Sequence, residues 1–191
     1  MRFNNPSKGF TLIEILIVVS IIAVLASLIL AGVNIARKKA SIAVAQSNIE
    51  ALNTALEQYV TDTGRYPGDR IKDYENGFPA LFDALFGDKP PRGKGGPNAP
   101  YMKFKESEVY VYDYDEEKYR PAYPDEIYDQ KVEKYLADPW GTPYIYHENK
   151  SRAPKSYMHK RNGADIYSCG PDKKDQTIDG EKSDIDDIGN W

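Results

Sequence analysis

Residues 8–14 read Lys-Gly-Phe-Thr-Leu-Ile-Glu and open the apolar stretch that decides the fold of this chain. From position 15 to position 31 every residue is apolar except Ser20 and Ser27. An α-helix needs about 20 consecutive apolar residues to cross the hydrocarbon core of a membrane. The stretch therefore predicts a spanning helix, and the polar remainder of the chain predicts a part that lies in water.

Two ordinary kinds of N-terminal segment explain this stretch incompletely. A cleaved secretory signal has an apolar part of about 7–15 residues that ends in small residues, which is shorter than the stretch found here. A plain membrane anchor accounts for the length but not for Glu14. An unpaired carboxylate in a spanning helix is costly, so such a residue usually marks a function.

A third interpretation accounts for both features, because residues 8–14 resemble the processing site of type IV pilins and type II secretion pseudopilins. The resemblance implies that a prepilin peptidase cuts between Gly9 and Phe10 and that Phe10 becomes the methylated N-terminus. It makes Glu14 the fifth residue of the mature chain, a position that the family reserves for glutamate.

The charges on Phe10 and Glu14 have a physical logic of their own. The new amino group on Phe10 is a cation in an apolar setting, and the Glu14 carboxylate is an anion in the same setting. A neighbouring subunit shifted along the helix axis brings the two together, so we expect Glu14 to set the register of assembly. The alternative is a glutamate that extends to the membrane interface.

Beyond the apolar stretch, a one-sided apolar stripe continues at helical spacing. Its members recur at steps of three and four residues: Ile42, Ala45, Ile49, Leu52, Leu56 and Tyr59. Gly64 and Pro67 predict where the helix ends. We expect one helix over residues 10–62 whose second half packs onto a globular part of the chain. A coiled-coil dimer is the alternative use of such a stripe.

The remainder of the chain predicts a small head that contains both helices and strands. Apolar spacing predicts short helices over residues 78–86 and 127–136. Alternation and β-branched or aromatic residues predict strands over residues 109–112, 145–146 and 164–168.

Two further features of the head are compositional. The chain has 15 tyrosines, which favour protein contacts or carbohydrate stacking, although tyrosines also fill a small β-layer while their hydroxyls stay in water. We prefer this second explanation. Residues 89–100 are rich in proline, glycine and basic side chains, which predicts an exposed turn or loop.

The C-terminal region carries a second resemblance. Residues 138–144 read Asp-Pro-Trp-Gly-Thr-Pro-Tyr, and residues 170–172 read Gly-Pro-Asp and open an acidic loop that continues to the end of the chain. The arrangement resembles that of the major pseudopilins of type II secretion systems, in which such motifs surround a bound calcium ion. Matching residue to motif makes Asp172 and Asp187 the best ligand candidates, followed by Asp184 and Asp186.

The chemistry of this loop suits calcium independently of the resemblance. Calcium takes about 6–8 hard oxygen ligands, which carboxylates and backbone carbonyls supply. The loop does not have the spacing of an EF-hand, and a solvated acidic tail is the alternative. A bound cation would fix the last strand without a disulfide, since the single cysteine, Cys169, excludes an intrachain disulfide.

The predicted fold is therefore α+β of the pilin type, a long N-terminal helix on a small antiparallel β-sheet head with a calcium-type loop at its C-terminus. Residues 1–9 form the leader peptide, residues 10–35 the transmembrane and assembly helix, and residues 36–63 the amphipathic half of the helix. Residues 64–191 form the head. Residues 68–137 are longer than a major pseudopilin usually needs, and Lys173 and Lys174 stand where glycines are common.

The resemblance implies a structural subunit of a type II secretion pseudopilus, a self-polymer that pushes folded proteins across the outer membrane. Its implied partners are minor pseudopilins, the prepilin peptidase, an inner-membrane assembly platform and membrane lipid, and the head is expected in the periplasm. A cytoplasmic ATPase would supply the energy.

The alternative is a type IV pilus or competence pilin that acts in adhesion or DNA uptake. A net charge of −4 gives no electrostatic case for binding nucleic acid. We expect no enzymatic activity, because His147 and His159 are the only histidines and stand in no metal or triad spacing.

Overall fold

A computed structural model describes the greater part of the chain. The described residues are 9, 11–68, 76–86, 100–149, 159–160, 162–175 and 186–191, without the side chains of residues 28, 30 and 31. The chain divides into two compact units, residues 1–40 and residues 41–191.

Helix α1 runs over Leu12–Thr63, which confirms the prediction of one long N-terminal helix. Its first part is long and apolar enough to cross a membrane, and the large apolar side chains there are exposed in the single chain. Gly64 ends the helix in a left-handed conformation with φ of 76°. Its amide donates to the carbonyl of Val60 at 2.7 Å, so the last turn closes before the chain turns away.

The apolar stripe of α1 forms one side of the head's hydrophobic core. Ile49, Leu52 and Leu56 are almost fully buried, and Ala45 and Tyr59 are buried with them. All of these except Ala45 belong to one core cluster with buried residues of the segment 78–86 and of both sheets of the same chain. The stripe is therefore used within the head, which favours that prediction over the coiled-coil dimer.

The first sheet has the strand order β2-β1-β3 and is antiparallel throughout. Its strands are β1 Val109–Asp113, β2 Lys118–Pro121 and β3 Tyr135–Leu136. A short 3₁₀ turn, Glu106–Glu108, precedes β1. The strand predicted over residues 109–112 is confirmed.

The second sheet has the order β4-β5-β6 and is also antiparallel. Its strands are β4 Ile145–Glu148, β5 Ala164–Ser168 and β6 Ile188–Gly189. Every residue of the central strand β5 is buried, whereas β6 is half-buried at the edge. The strand predicted over residues 164–168 has the predicted bounds.

Helix α2, Phe78–Phe86, also has the predicted bounds, and the five apolar residues at helical spacing are all buried. The Asn76 side chain fixes its start: its Oδ1 accepts from the amides of Phe78 and Tyr146, each at 3.0 Å. Its Nδ2 donates to the carbonyl of Tyr144 at 2.9 Å. One side chain thus caps α2 and attaches it to the neighbourhood of β4.

The helix predicted over residues 127–136 is wrong. Helix α3 covers only Pro124–Ile127, and the chain then forms a loop that leads into β3. The ammonium of Lys134 donates to the carbonyls of Asp129 and Val132, at 2.5 and 2.9 Å, which satisfies loop carbonyls that a helix would otherwise use. Pairing of β3 with β1 then outweighs the local helical spacing.

Candidate functional site

The N-terminus of α1 is closed by a reciprocal pair of hydrogen bonds between Thr11 and Glu14. Glu14 Oε2 accepts from the amide and the hydroxyl of Thr11, each at 2.8 Å, and the Glu14 amide donates to Thr11 Oγ1 at 3.3 Å. This is a capping box, which satisfies amides at the start of a helix that have no partner within it. The Thr-x-x-Glu pattern in the sequence indicates such a box, and our sequence analysis missed it.

The predicted processing residues flank this box. Gly9 is exposed, whereas Phe10 lies outside the described residues. The Glu14 carboxylate is already the acceptor of two hydrogen bonds within its own chain. Its interaction with a neighbouring subunit stays a prediction.

Exposed apolar side chains predominate on the described part of the following turns of α1. Ile13, Leu16 and Val19 are each exposed by more than half. A surface of this kind is unstable in water and needs lipid or other apolar helices around it. The segment therefore has the properties that membrane insertion and bundling with other subunits both require.

At the other end of the chain, Asp138 joins the Asp-Pro-Trp-Gly turn to the end of β5. Its Oδ1 accepts from the amides of Trp140 and Thr142, at 3.0 and 2.8 Å. Its Oδ2 accepts from the fully buried hydroxyl of Ser168 at 2.5 Å. Ser168 Oγ in turn accepts from the amide of Gly170 at 3.1 Å. The motif thus holds the start of the acidic loop in place.

Gly170 brings the two ends of the acidic loop together. It adopts φ of 68°, and a Cβ at this position would lie 2.5 Å from the backbone carbonyl oxygen of Asp186. Only glycine permits both the left-handed conformation and this close approach. Gly170, two residues after β5, and Asp186, two residues before β6, are therefore adjacent, with a backbone carbonyl and a carboxylate at the junction.

Several carboxylates act together on the buried Cys169 thiol. Burial raises the pKa of this thiol, and the carboxylates of Asp175, Asp187, Asp138 and Asp172 raise it further. The thiol is therefore protonated and inert, as expected for a packed cysteine.

The predicted calcium ligands are only partly described. Asp172 is exposed in the turn after β5, and its Oδ1 accepts from the amide of Lys174 at 2.8 Å. Asp186 and Asp187 are half-buried next to β6, and Asp184 lies outside the described residues. Within the described part of the chain, no three acidic, histidine or cysteine side chains are placed to hold a metal ion. The donors present are hard oxygens, which is the chemistry that calcium prefers.

The final residues attach the last strand to α1. Asn190 Nδ2 donates to Asn53 Oδ1 on α1 at 2.8 Å and to the carbonyl of Ala164 at 3.1 Å. Asn190 Oδ1 accepts from the amide of Ile166 at 3.2 Å. The Trp191 ring stacks on His159, with ring centroids 3.7 Å apart. Our sequence analysis treated this segment only as the end of the acidic loop and assigned no role to Asn190.

Comparison with known proteins gives matches to a short N-terminal segment and to nearly the whole chain. The prokaryotic N-terminal methylation motif matches residues 4–30. The type II secretion system core protein G of Pseudomonas aeruginosa is 30% identical over 188 residues, which are 98% of this chain and 97% of the relative. The protein of the same name from Aeromonas hydrophila is also 30% identical over 188 residues, 98% of this chain and 94% of that one.

Among solved structures, the chain matches the major pseudopilin from the type 2 secretion system of enterohaemorrhagic Escherichia coli. The identity is 23% and the TM-score 0.41, over 81% of this chain and 90% of that one. The sequence similarity to the core protein G of P. aeruginosa extends over nearly the full length of both chains. The chain therefore belongs to the family of the type II secretion system core protein G.

Proposed function

We propose that this chain is the structural subunit of a type II secretion pseudopilus, which polymerises through residues 10–35 and pushes folded proteins across the outer membrane. The observation that carries the proposal is the similarity to core protein G over nearly the whole of both chains. The long apolar first part of α1 and the compact unit of residues 41–191 supply the two properties that such a subunit needs.

Processing and assembly begin at the N-terminus of α1. In this proposal a prepilin peptidase cuts between Gly9 and Phe10, and Phe10 is methylated. The amino group of Phe10 in one subunit then pairs with Glu14 of the next. The capping bonds from Thr11 keep the Glu14 carboxylate satisfied until that partner arrives, because a carboxylate without partners is costly in an apolar medium.

The charges in front of the apolar stretch support an orientation in the membrane. Arg2 and Lys8 precede the apolar stretch and no acid lies with them, which supports a cytoplasmic N-terminus. The head then lies in the periplasm, and the subunit is a single-pass inner-membrane protein before assembly. Its partners are further copies of itself, minor pseudopilins, the peptidase and the inner-membrane assembly platform.

A structural calcium ion belongs to the same proposal. Asp172, Asp184, Asp186 and Asp187 would hold it, together with backbone carbonyls of the kind that Asp186 presents next to Gly170. When bound, the ion would neutralise the carboxylates and fix the acidic loop against β5. The close approach of Gly170 to the Asp186 carbonyl, which brings the two ends of the acidic loop together, supports a cation at this end of the head.

The experiment that tests the assembly mechanism compares Glu14→Ala with Thr11→Val in full-length chains co-expressed with the peptidase and the assembly platform. We expect Glu14→Ala to insert into the membrane and to be cut before Phe10, which the mass of the N-terminal peptide shows. Filaments in electron micrographs should be absent. Thr11→Val keeps the carboxylate and should still form filaments. Normal filaments from Glu14→Ala would refute the proposed register.

A further inference from the structure

A cavity of about 660 Å³ opens on the head beside the first sheet. The first half of α2, the ends of β1 and β2, and the loop before β3 line it. We call it the tyrosine groove, after the tyrosines that form one wall: Tyr112, Tyr114, Tyr119 and Tyr135. The proposed assembly through α1 does not use it.

The four tyrosine rings form a packed row. Successive ring centroids, from Tyr114 to Tyr112 to Tyr119 to Tyr135, lie 5.1, 5.1 and 5.0 Å apart, and each pair is edge-to-face. Exposure falls from 77% at Tyr114 to 6% at Tyr135, so the row leads from the rim to the floor. Rings held in this way present contact area at little cost in conformational entropy.

Acidic side chains stand at the rim of the groove. Glu133 and Asp83 are both exposed to solvent. Burial nevertheless raises the pKa of the Asp83 carboxyl, as expected for a group that protein atoms surround in a concave site. Of the two lysines that line the groove, Lys134 has its ammonium bonded to loop carbonyls, which leaves Lys131 as the exposed base.

The same sequence contains a segment whose chemistry complements this groove. Residues 89–94 read Lys-Pro-Pro-Arg-Gly-Lys and carry three bases and no acid. Aromatic-lined grooves bind proline-rich segments, because such segments are extended beforehand and lose little entropy on binding. Acidic groups at the rim then attract the basic residues that flank the prolines.

We propose that the tyrosine groove of one subunit receives residues 89–94 of a second copy of this chain. The inference rests on the proposed polymer, in which each subunit meets its neighbour through two different patches. The prolines lie against Tyr112 and Tyr119, and the bases face Glu133 and Asp83. The groove thereby gives the heads a contact of their own, separate from the pairing of the α1 helices.

A photo-cross-linking experiment in assembled filaments tests this contact. A benzophenone amino acid replaces Tyr114 in full-length chains, which co-assemble with isotopically heavy chains that lack the probe. A matched probe replaces Tyr123, which is 60% exposed and lies outside the groove. We expect mass spectrometry to find cross-links from position 114 to residues 89–94 of heavy chains, and none to that segment from position 123.

Charge reversal provides the second measurement. Glu133→Lys should lower the yield of this cross-link about fivefold, as expected for the loss of one exposed ion pair. Adding Arg92→Glu to the second copy should restore the yield, which a structural effect of either change would not do.

Each other outcome overturns the inference. A cross-link to residues 89–94 of the same chain shows that the segment covers its own groove. Normal filaments with no cross-link to the segment refute the head contact and leave the proposed function intact. An absence of filaments from the unsubstituted chain overturns both, because the inference then has no polymer on which to rest.

Discussion

Replacement of Asp138 by alanine tests how the Asp-Pro-Trp-Gly turn holds the head together. The change removes the carboxylate that accepts from the hydroxyl of Ser168 and from the amides of Trp140 and Thr142. A hydrogen bond to a charged group contributes roughly 1.5–3 kcal/mol. Water can replace the acceptor at the two partly buried amides, but not at the buried Ser168. We therefore expect Asp138→Ala to lower the free energy of unfolding by about 3–5 kcal/mol.

The assay is thermal and urea denaturation of a fragment of residues 36–191, which contains the compact unit of residues 41–191. The expected loss corresponds to a fall in Tm of about 10–15 °C for a head of this size. Asp138→Asn is the matched control, because its carbonyl oxygen still accepts from both amides, and it should cost about 1 kcal/mol. A Tm of Asp138→Ala equal to that of the wild type would refute the reasoning.

Three further predictions concern the end of the chain. Asn190→Ala loses the bonds to Asn53, Ala164 and Ile166 and should lower the free energy of unfolding by about 2 kcal/mol. Asn53→Ala loses only one of these bonds and should cost about half as much. Equal losses of the two variants in urea denaturation would contradict this prediction. Calcium at about 100 times its Kd should stabilise the fragment by about 2.7 kcal/mol. If neither calcium nor a chelator changes the Tm, the loop is a solvated acidic tail and not a calcium site. Since burial raises the pKa of the Cys169 thiol, the folded state favours the protonated form. The free energy of unfolding of the fragment should therefore fall as the pH rises above about 9. Thiol reagents at pH 8 should label Cys169 only at the rate of unfolding.

Hydrophobic periodicity predicted the elements in which one side of the chain is buried. Helix α2 has the predicted bounds because its five apolar residues lie on a single face and all enter the core. The stripe of α1 was predictable for the same reason. Gly64 was predictable as the end of the helix, because glycine readily adopts the left-handed conformation that closes a helix.

Tertiary contacts decided the elements that periodicity could not predict. Residues 127–136 have helical spacing, but Lys134 stabilises the loop through its carbonyls, and Tyr135 and Leu136 pair with β1. The Lys134 bonds are local, but the pairing with β1 joins residues that are far apart in sequence, so a local pattern cannot reveal that pairing.

The candidate site was predictable as chemistry, but only partly as geometry. The Gly9 to Glu14 motif indicated processing and assembly, yet the capping role of Thr11 was readable from Thr-x-x-Glu and was missed. At the C-terminus, the motifs indicated a loop with hard oxygen donors. The connections made by Asp138 and Asn190 join segments that are far apart in sequence, and only the folded chain shows them.

Deletion of this gene in a host that has both a type II secretion system and type IV pili tests the central claim most directly. The amount of secreted enzyme in the medium and in the periplasm is measured together with the number of surface pili. We predict that the secreted enzymes accumulate in the periplasm while the pili remain, and that the wild-type chain restores secretion but Glu14→Ala does not. Normal secretion with loss of pili would contradict the account and make the chain a pilus subunit.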